Sequence, residues 1–404
     1  LWGIKNKEKR LYAMKYNFDK IIKPIQSEKW CGRKKIFGRE DIVPMWIADM
    51  DFESPKPVVD AIVKRAEHSI FGYTFRPSSY SESIINWFSK RYNWEINKDW
   101  INYSPGVVPA LSFIALSFSH PGDKIIVQSP VYRRFFEVIT PNGRQVLDNP
   151  LLLKNGKYII DFDDFEKKAG DSRAKLFFLC NPHNPVGRVW TREEIIKLGR
   201  ICIKNNIIIV SDEIHSDLIY KGYKHVIFAS ISEEFAQNSI ILNSPSKTFN
   251  LAGLQTSIVI IPNKKYYKIY DNKISSLKVG RSNVFGLVAL EAAYNFGEDW
   301  LKQLLEYLEE NLKYLTNFFK ERVPKIKVIK PEGTYLVWLD CRQLALNDLE
   351  LRKFMIEKAK VGLIEGYKFG QGGEGFQRIN IGCPRSILKK SLERIEKAVN
   401  ENYI

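Results

Sequence analysis

The chain has 404 residues, 45% hydrophobic and 27% charged, with a formal net charge of +16. This is ordinary globular composition. It excludes wholesale disorder, a collagen repeat and a long coiled coil, and the length suits two domains. The positive balance draws anions in general and names no partner.

In chain order, the opening LWGIKNKEKRLYA carries charges but no apolar run before a small-residue cleavage site, so no secretory leader is expected. Residues 1–13 read as an extension ahead of Met14. The basic cluster Gly32–Arg39 (GRKKIFGR) reads as a solvated face, because no nucleic-acid-binding module accompanies it. No apolar run approaches the length of a membrane span. The five cysteines (Cys31, Cys180, Cys202, Cys341, Cys383) are scattered, so neither a zinc site nor a disulfide framework is indicated. A reducing, cytoplasmic setting is expected.

From about residue 100 to 262, short apolar runs alternate with amphipathic stretches. The runs are Lys124–Gln128, Lys175–Cys180, Ile207–Val210, Ser239–Leu242 and Ser257–Ile261. Consecutive β-branched residues of this kind suit strands buried on both faces of a parallel sheet. Between them, Thr191–Asn205 reads as a helix, with a threonine cap and first-turn acids. The alternation predicts an α/β sheet flanked by helices, with functional residues at the carboxyl ends of its strands. After Gly297, Leu301, Leu304, Leu305, Leu308, Leu312 and Leu315 keep one face of a long helix. The FQRINIG run then reads as a strand, and Ile387–Asn402 as a closing helix of a smaller α+β domain.

Three of the strand ends carry chemistry. The first leads into Asn181-Pro182-His183-Asn184-Pro185-Val186-Gly187, the second into Ser211-Asp212-Glu213-Ile214-His215, the third into Asn243–Gly253 (NSPSKTFNLAG). Hydroxyls and turn amides in the last can hold a phosphate, and a desolvated Lys247 amine is a nucleophile. Asp212 can pair with a protonated ring nitrogen, and Asn184 can donate to an oxyanion. Taken alone, each has a simpler reading: a serine-rich turn, a helix cap, Asn-Pro turn chemistry.

Together and in order, NPxG, D-x-x-(H/Y) and SxSK resemble the pyridoxal-phosphate enzymes of the aspartate-aminotransferase fold (fold type I), over nearly the whole chain from Met14. Met45–Phe52 (MWIADMDF), Ser211–Asp217 (SDEIHSD) and Ser246–Gly253 (SKTFNLAG) are similar to the MalY/PatB-type cystathionine β-lyases. The resemblance implies a mainly parallel seven-stranded-type sheet plus a smaller domain. It divides the chain into a cofactor-binding domain over 61–297 and a small domain built from 14–60 and 298–404. It implies pyridoxal 5'-phosphate held on Lys247, with Asp212 at the pyridine nitrogen and Asn184 and His215 near the phenolate oxygen. Tyr132 would stack on the ring, and Gly106, Val107, Val108, Ser244 and Ser246 would hold the phosphate. Tyr73 would be lent across a homodimer interface, and Arg378 would grip the substrate carboxylate. No metal, nucleic acid or membrane enters this picture.

The implied reaction is β-elimination on cystathionine or cysteine, with an aminotransferase on the same scaffold as the alternative. One departure stands out: Gln255 occupies the position where many aminotransferases of this fold place a phosphate-binding arginine. Arg281 and Ser282 are candidates to replace it. Gly370–Gly375 satisfies GxGxxG literally, but it precedes a strand and opens no helix, so it reads as a glycine loop beside Arg378.

Overall fold

The computed structural model describes residues 14–403, so the expected extension at 1–13 lies outside the described residues. Seven strands make the large sheet: β1 (Ile101–Ser104), β2 (Lys124–Val127), β3 (Gln145–Asp148), β4 (Ala174–Cys180), β5 (Ile208–Asp212), β6 (Ser239–Asn243) and β7 (Ser257–Ile260). Their order across the sheet is β1-β7-β6-β5-β4-β2-β3. The runs from β2 through β6 are parallel, as their unbroken apolar sequences predict. Every residue of β6 and β7 is buried.

β7 departs from the expectation: it runs antiparallel to both β1 and β6. A parallel return needs a crossover of a dozen or more residues, usually with a helix. The link from β6 to β7 is long enough but holds only the short turns Pro245–Thr248 and Ala252–Leu254 and no crossover helix, and the chain turns straight back. Buried composition marks a strand but not its direction.

The second sheet is antiparallel and smaller: β8 (Lys327–Ile329), β9 (Leu336–Asp340), β10 (Ile364–Glu365) and β11 (Phe376–Asn380), in the order β8-β9-β11-β10. Arg378 lies on β11, opposite Trp338 on one side and Ile364 on the other. The Glu298–Arg322 helix buries Leu301, Leu304, Leu308, Leu312 and Leu315, matching the leucine spacing. The closing helix, Arg385–Tyr403, also forms where periodicity placed it. Near the N-terminus, Val43–Pro44 pairs with Val361–Gly362, which carries the segment after it into the cleft between the two sheets.

Register sets the functional edge. Cys180 pairs with Asp212, and Asp212 with Leu242, so β4, β5 and β6 end side by side. β1 shares their direction and ends at Ser104, just before the Val107–Phe118 helix. No helix among the described residues is long and apolar enough to cross a membrane.

Candidate active site

A cavity of about 180 Å³ opens at this edge. It is lined by Gly106, Val107, Val108, Tyr132, Asn184, Asp212, His215, Ser244, Ser246 and Lys247, ten of the expected site residues. Ala48, Cys180, Gln255 and Thr256 also line it.

Lys247 sits in a single helical turn whose cap is Ser244, with the Ser246 amide donating to Ser244 Oγ at 3.1 Å. Ser244 Oγ in turn donates to the Thr256 carbonyl oxygen at 2.7 Å, so this hydroxyl already serves to shape the turn. On the far side, Thr248 Oγ1 donates to Asp217 Oδ2 at 2.9 Å. Buried Asp217 is fixed by Arg91 Nε at 2.7 Å and by the Tyr92 hydroxyl at 2.6 Å. Lys247 Nζ donates to the Ala48 carbonyl oxygen at 2.5 Å, which also accepts from the Tyr335 hydroxyl at 3.0 Å.

Burial dominates the electrostatics. It pulls the Lys247 amine down to about 8, although nearby Asp49 favours the charged form. It pushes the Asp212 carboxyl up to about 7, against the Ile214 amide that donates to it at 3.2 Å. His215 is lowered to about 3 by burial, with Lys247 and Arg378 adding to the effect, so its ring is neutral. The His215 ring packs edge-on to Tyr335, and its Nδ1 has no partner among the described residues.

Arg378 is buried, and burial lowers it to about 10. One terminal nitrogen donates to Asn184 Oδ1 at 2.9 Å, the other to the Trp46 carbonyl oxygen at 2.8 Å. Its Nε has no partner, and no carboxylate pairs with it among the described residues. A buried guanidinium held only by neutral oxygens is ready for a carboxylate ligand.

The other end of the cavity is built from neutral donors. Gly106, Val107 and Val108 open the Val107–Phe118 helix, whose first amides point along the positive end of its dipole. A Cβ on Gly106 would come within 3.2 Å of the Pro109 ring, so a larger residue would crowd the first turn of this helix. Ser246, Thr256 and Gln255 complete the rim. The set suits a flat heteroaromatic ring with an anionic tail: an aromatic face at Tyr132, a carboxylate at Asp212, amide and hydroxyl donors at the tail.

Four expected residues do not line the cavity within this chain: Arg378, which meets it through Asn184, and Tyr73, Arg281 and Ser282. Tyr73 is 92% exposed, and Arg281 lies over its ring at 4.1 Å. Arg281 and Ser282 therefore do not supply a cation beside Gln255 here. Conversely, Ala48, Tyr335, Asp217 and Thr256 carry no local signal of their role. The only hint in the sequence is that Ala48 lies in MWIADMDF, and Asp217 and Thr248 in the SDEIHSD and SKTFNLAG runs.

Comparison with known proteins agrees with this geometry. The model of the family Aminotransferase class I and II matches residues 40–395. The cystathionine beta-lyase PatB of Bacillus subtilis (strain 168) is 45% identical, over 95% of this chain and 100% of its own length. Protein MalY of Escherichia coli (strain K12) is 31% identical, over 95% and 99%. The crystal structure of the PLP-bound C–S lyase from Staphylococcus hominis superposes with a TM-score of 0.90 at 35% identity, covering 96% of this chain and 99% of that one. With its fold, strand-end lysine and relatives in agreement over nearly its whole length, the chain belongs to the aminotransferase class I and II family, among the MalY/PatB-like carbon–sulfur lyases.

Proposed function

We propose that the chain is a carbon–sulfur β-lyase that uses pyridoxal 5'-phosphate to split the Cβ–S bond of a sulfur amino acid. The products are pyruvate, ammonia and a thiol. The observation that carries this reading is the convergence of Lys247, Asp212 and Arg378, three buried ionisable groups shifted toward neutrality around one cavity.

The residues present fit the cofactor. Tyr132 offers a ring face, Asp212 a carboxylate for the pyridine nitrogen, and Asn184 and neutral His215 polar groups on the phenolate side. Gly106, Val107, Val108, Ser244 and Ser246 would enclose the phosphate, with Thr256 as an addition. When bound, the cofactor supplies an electron sink for the charge left at the substrate α-carbon. Lys247 Nζ, with its lowered basicity, is neutral often enough near pH 7 to take the α-proton. Arg378 grips the α-carboxylate and holds the α-carbon toward that amine. The thiolate leaves Cβ, and the released enamine hydrolyses in water to pyruvate and ammonia.

In this reading residues 61–297 form the cofactor-binding unit, and 14–60 with 298–404 the smaller one. A homodimer belongs to it too: Ile70, Phe71, Tyr73 and Phe75 form an exposed apolar segment, suited to covering by a second copy whose site Tyr73 would enter. The described cysteines are all free thiols, in keeping with a cytoplasmic location.

The second reading is an aminotransferase, favoured by the family match itself and served by the same Lys247, Asp212 and Asn184. One assay separates them. The purified, pyridoxal-phosphate-loaded protein is given cystathionine or cysteine with no keto acid. The lyase forms pyruvate in excess over enzyme. An aminotransferase forms none and turns over only when 2-oxoglutarate is added.

A further inference from the structure

Tyr132 lines the cavity, and the two residues after it are both arginines. The Arg134 guanidinium lies beside the Tyr132 hydroxyl. Arg133 is near enough to Arg378 for the two charges to repel. The segment is tied to the small-domain loop ahead of Arg378, because the Val131 amide donates to the Phe369 carbonyl oxygen at 2.8 Å. Arg133 and Arg134 are 38% and 45% exposed, so they occupy the solvent side of this wall while Arg378 occupies its depth.

Charge balance there is incomplete. Glu137 is the carboxylate both arginines share, 3.6 Å from Arg133 and in direct contact with Arg134. Glu374, on the glycine loop, accepts instead from the Gly372 amide at 2.9 Å. Two cations against one anion leave surplus positive charge where the Tyr132 wall meets solvent. With Arg378 holding the α-carboxylate, the part of a substrate beyond Cβ must extend away from the depth of the site. Arginine forks recognise carboxylates bidentately.

We propose that Arg133 and Arg134 are specificity-determining residues that bind a carboxylate on the leaving half of the substrate. The preferred substrates are then sulfur amino acids whose thiol part itself carries a carboxylate, such as cystathionine or cystine, over cysteine. The proposal rests on the lyase reading above and assigns its substrate class.

The experiment compares kcat/KM for cystathionine and for an S-alkylcysteine of the same length without the distal carboxylate. The native protein, R133Q, R134Q and the double variant are tested, each loaded with cofactor. The native protein should favour cystathionine at least tenfold, through KM. The double variant should lose that preference, and added salt should weaken it in the native protein. Equal loss on both substrates, or an unchanged ratio, overturns the proposal.

Calorimetric binding of the uncleavable analogue, with methylene in place of sulfur, keeps the test separate from the lyase reading. Tighter binding of the dicarboxylate by the native protein than by the double variant supports the arginines even if no pyruvate forms. Equal binding refutes them even if it does.

Discussion

The two ends of the cavity solve opposite problems. At the ring end, Lys247, Asp212, His215 and Arg378 are charged or chargeable groups enclosed with few partners, and burial shifts each toward its neutral form. At the tail end, an anion must be met by backbone amides and hydroxyls, since Gln255 replaces a cation and Arg281 lies elsewhere. The ring end stores electrostatic tension that a ligand relieves; the tail end is preorganised and nearly neutral. Reactivity should therefore depend on the first, and cofactor retention on the second.

The largest expected effect is at Lys247. Lys247→Ala should cut turnover at least about 10³-fold, because both the nucleophile and the α-proton acceptor are lost. Steady pyruvate release by the cofactor-loaded variant at a near-native rate would remove Lys247 from its role.

Asp212→Asn should lower turnover about 10²-fold while stabilising the cofactor-free protein. The sign follows from linkage. Burial raises the Asp212 carboxyl to about 7, so between its unfolded value of about 4 and that point the folded chain binds a proton the unfolded chain has lost. Stability of the native cofactor-free protein therefore falls as pH rises through this window, by about 4 kcal/mol when complete. The variant should unfold at higher urea than native at pH 8, and at a similar concentration at pH 4. A native stability that rises with pH across the window would contradict the burial of this carboxylate without an ion-pair partner among the described residues.

The smallest effect belongs to the tail end. Gln255→Arg would add a cation beside the phosphate, at a position already in the left-handed region with φ 47°. Cofactor dissociation should slow about tenfold with little change in kcat. Loss of turnover with no gain in retention would show that the two ends are not independent.

What was legible in the sequence was local. Asn184, Asp212 and Lys247 each follow a buried apolar run, and parallel strands in register carry them to one edge. The leucine face of Glu298–Arg322 and the Thr191 cap of the Arg192–Lys204 helix were equally readable, because spacing along one segment determines them. The rest depends on distant chain. Ala48, whose carbonyl meets the Lys247 amine, is 199 residues away in sequence. Tyr335, just ahead of β9, reaches the same oxygen from 287 residues away. Arg378, an arginine within the strand-like FQRINIG run, reads on its own as a surface residue and is buried by two neighbouring strands that sequence pattern does not align. β7 turns back antiparallel because its connection spends its residues on the Lys247 turn and forms no crossover helix, which strand composition does not reveal.

The central claim is that Lys247 is the amine that engages the cofactor. It is tested most directly by borohydride reduction of the pyridoxal-phosphate-loaded protein, followed by peptide mapping of the phosphopyridoxyl label. The account predicts one labelled peptide per chain, spanning Asn243–Gly253 and modified at Lys247. A label on another lysine, or native turnover in protein that takes no label, would contradict it.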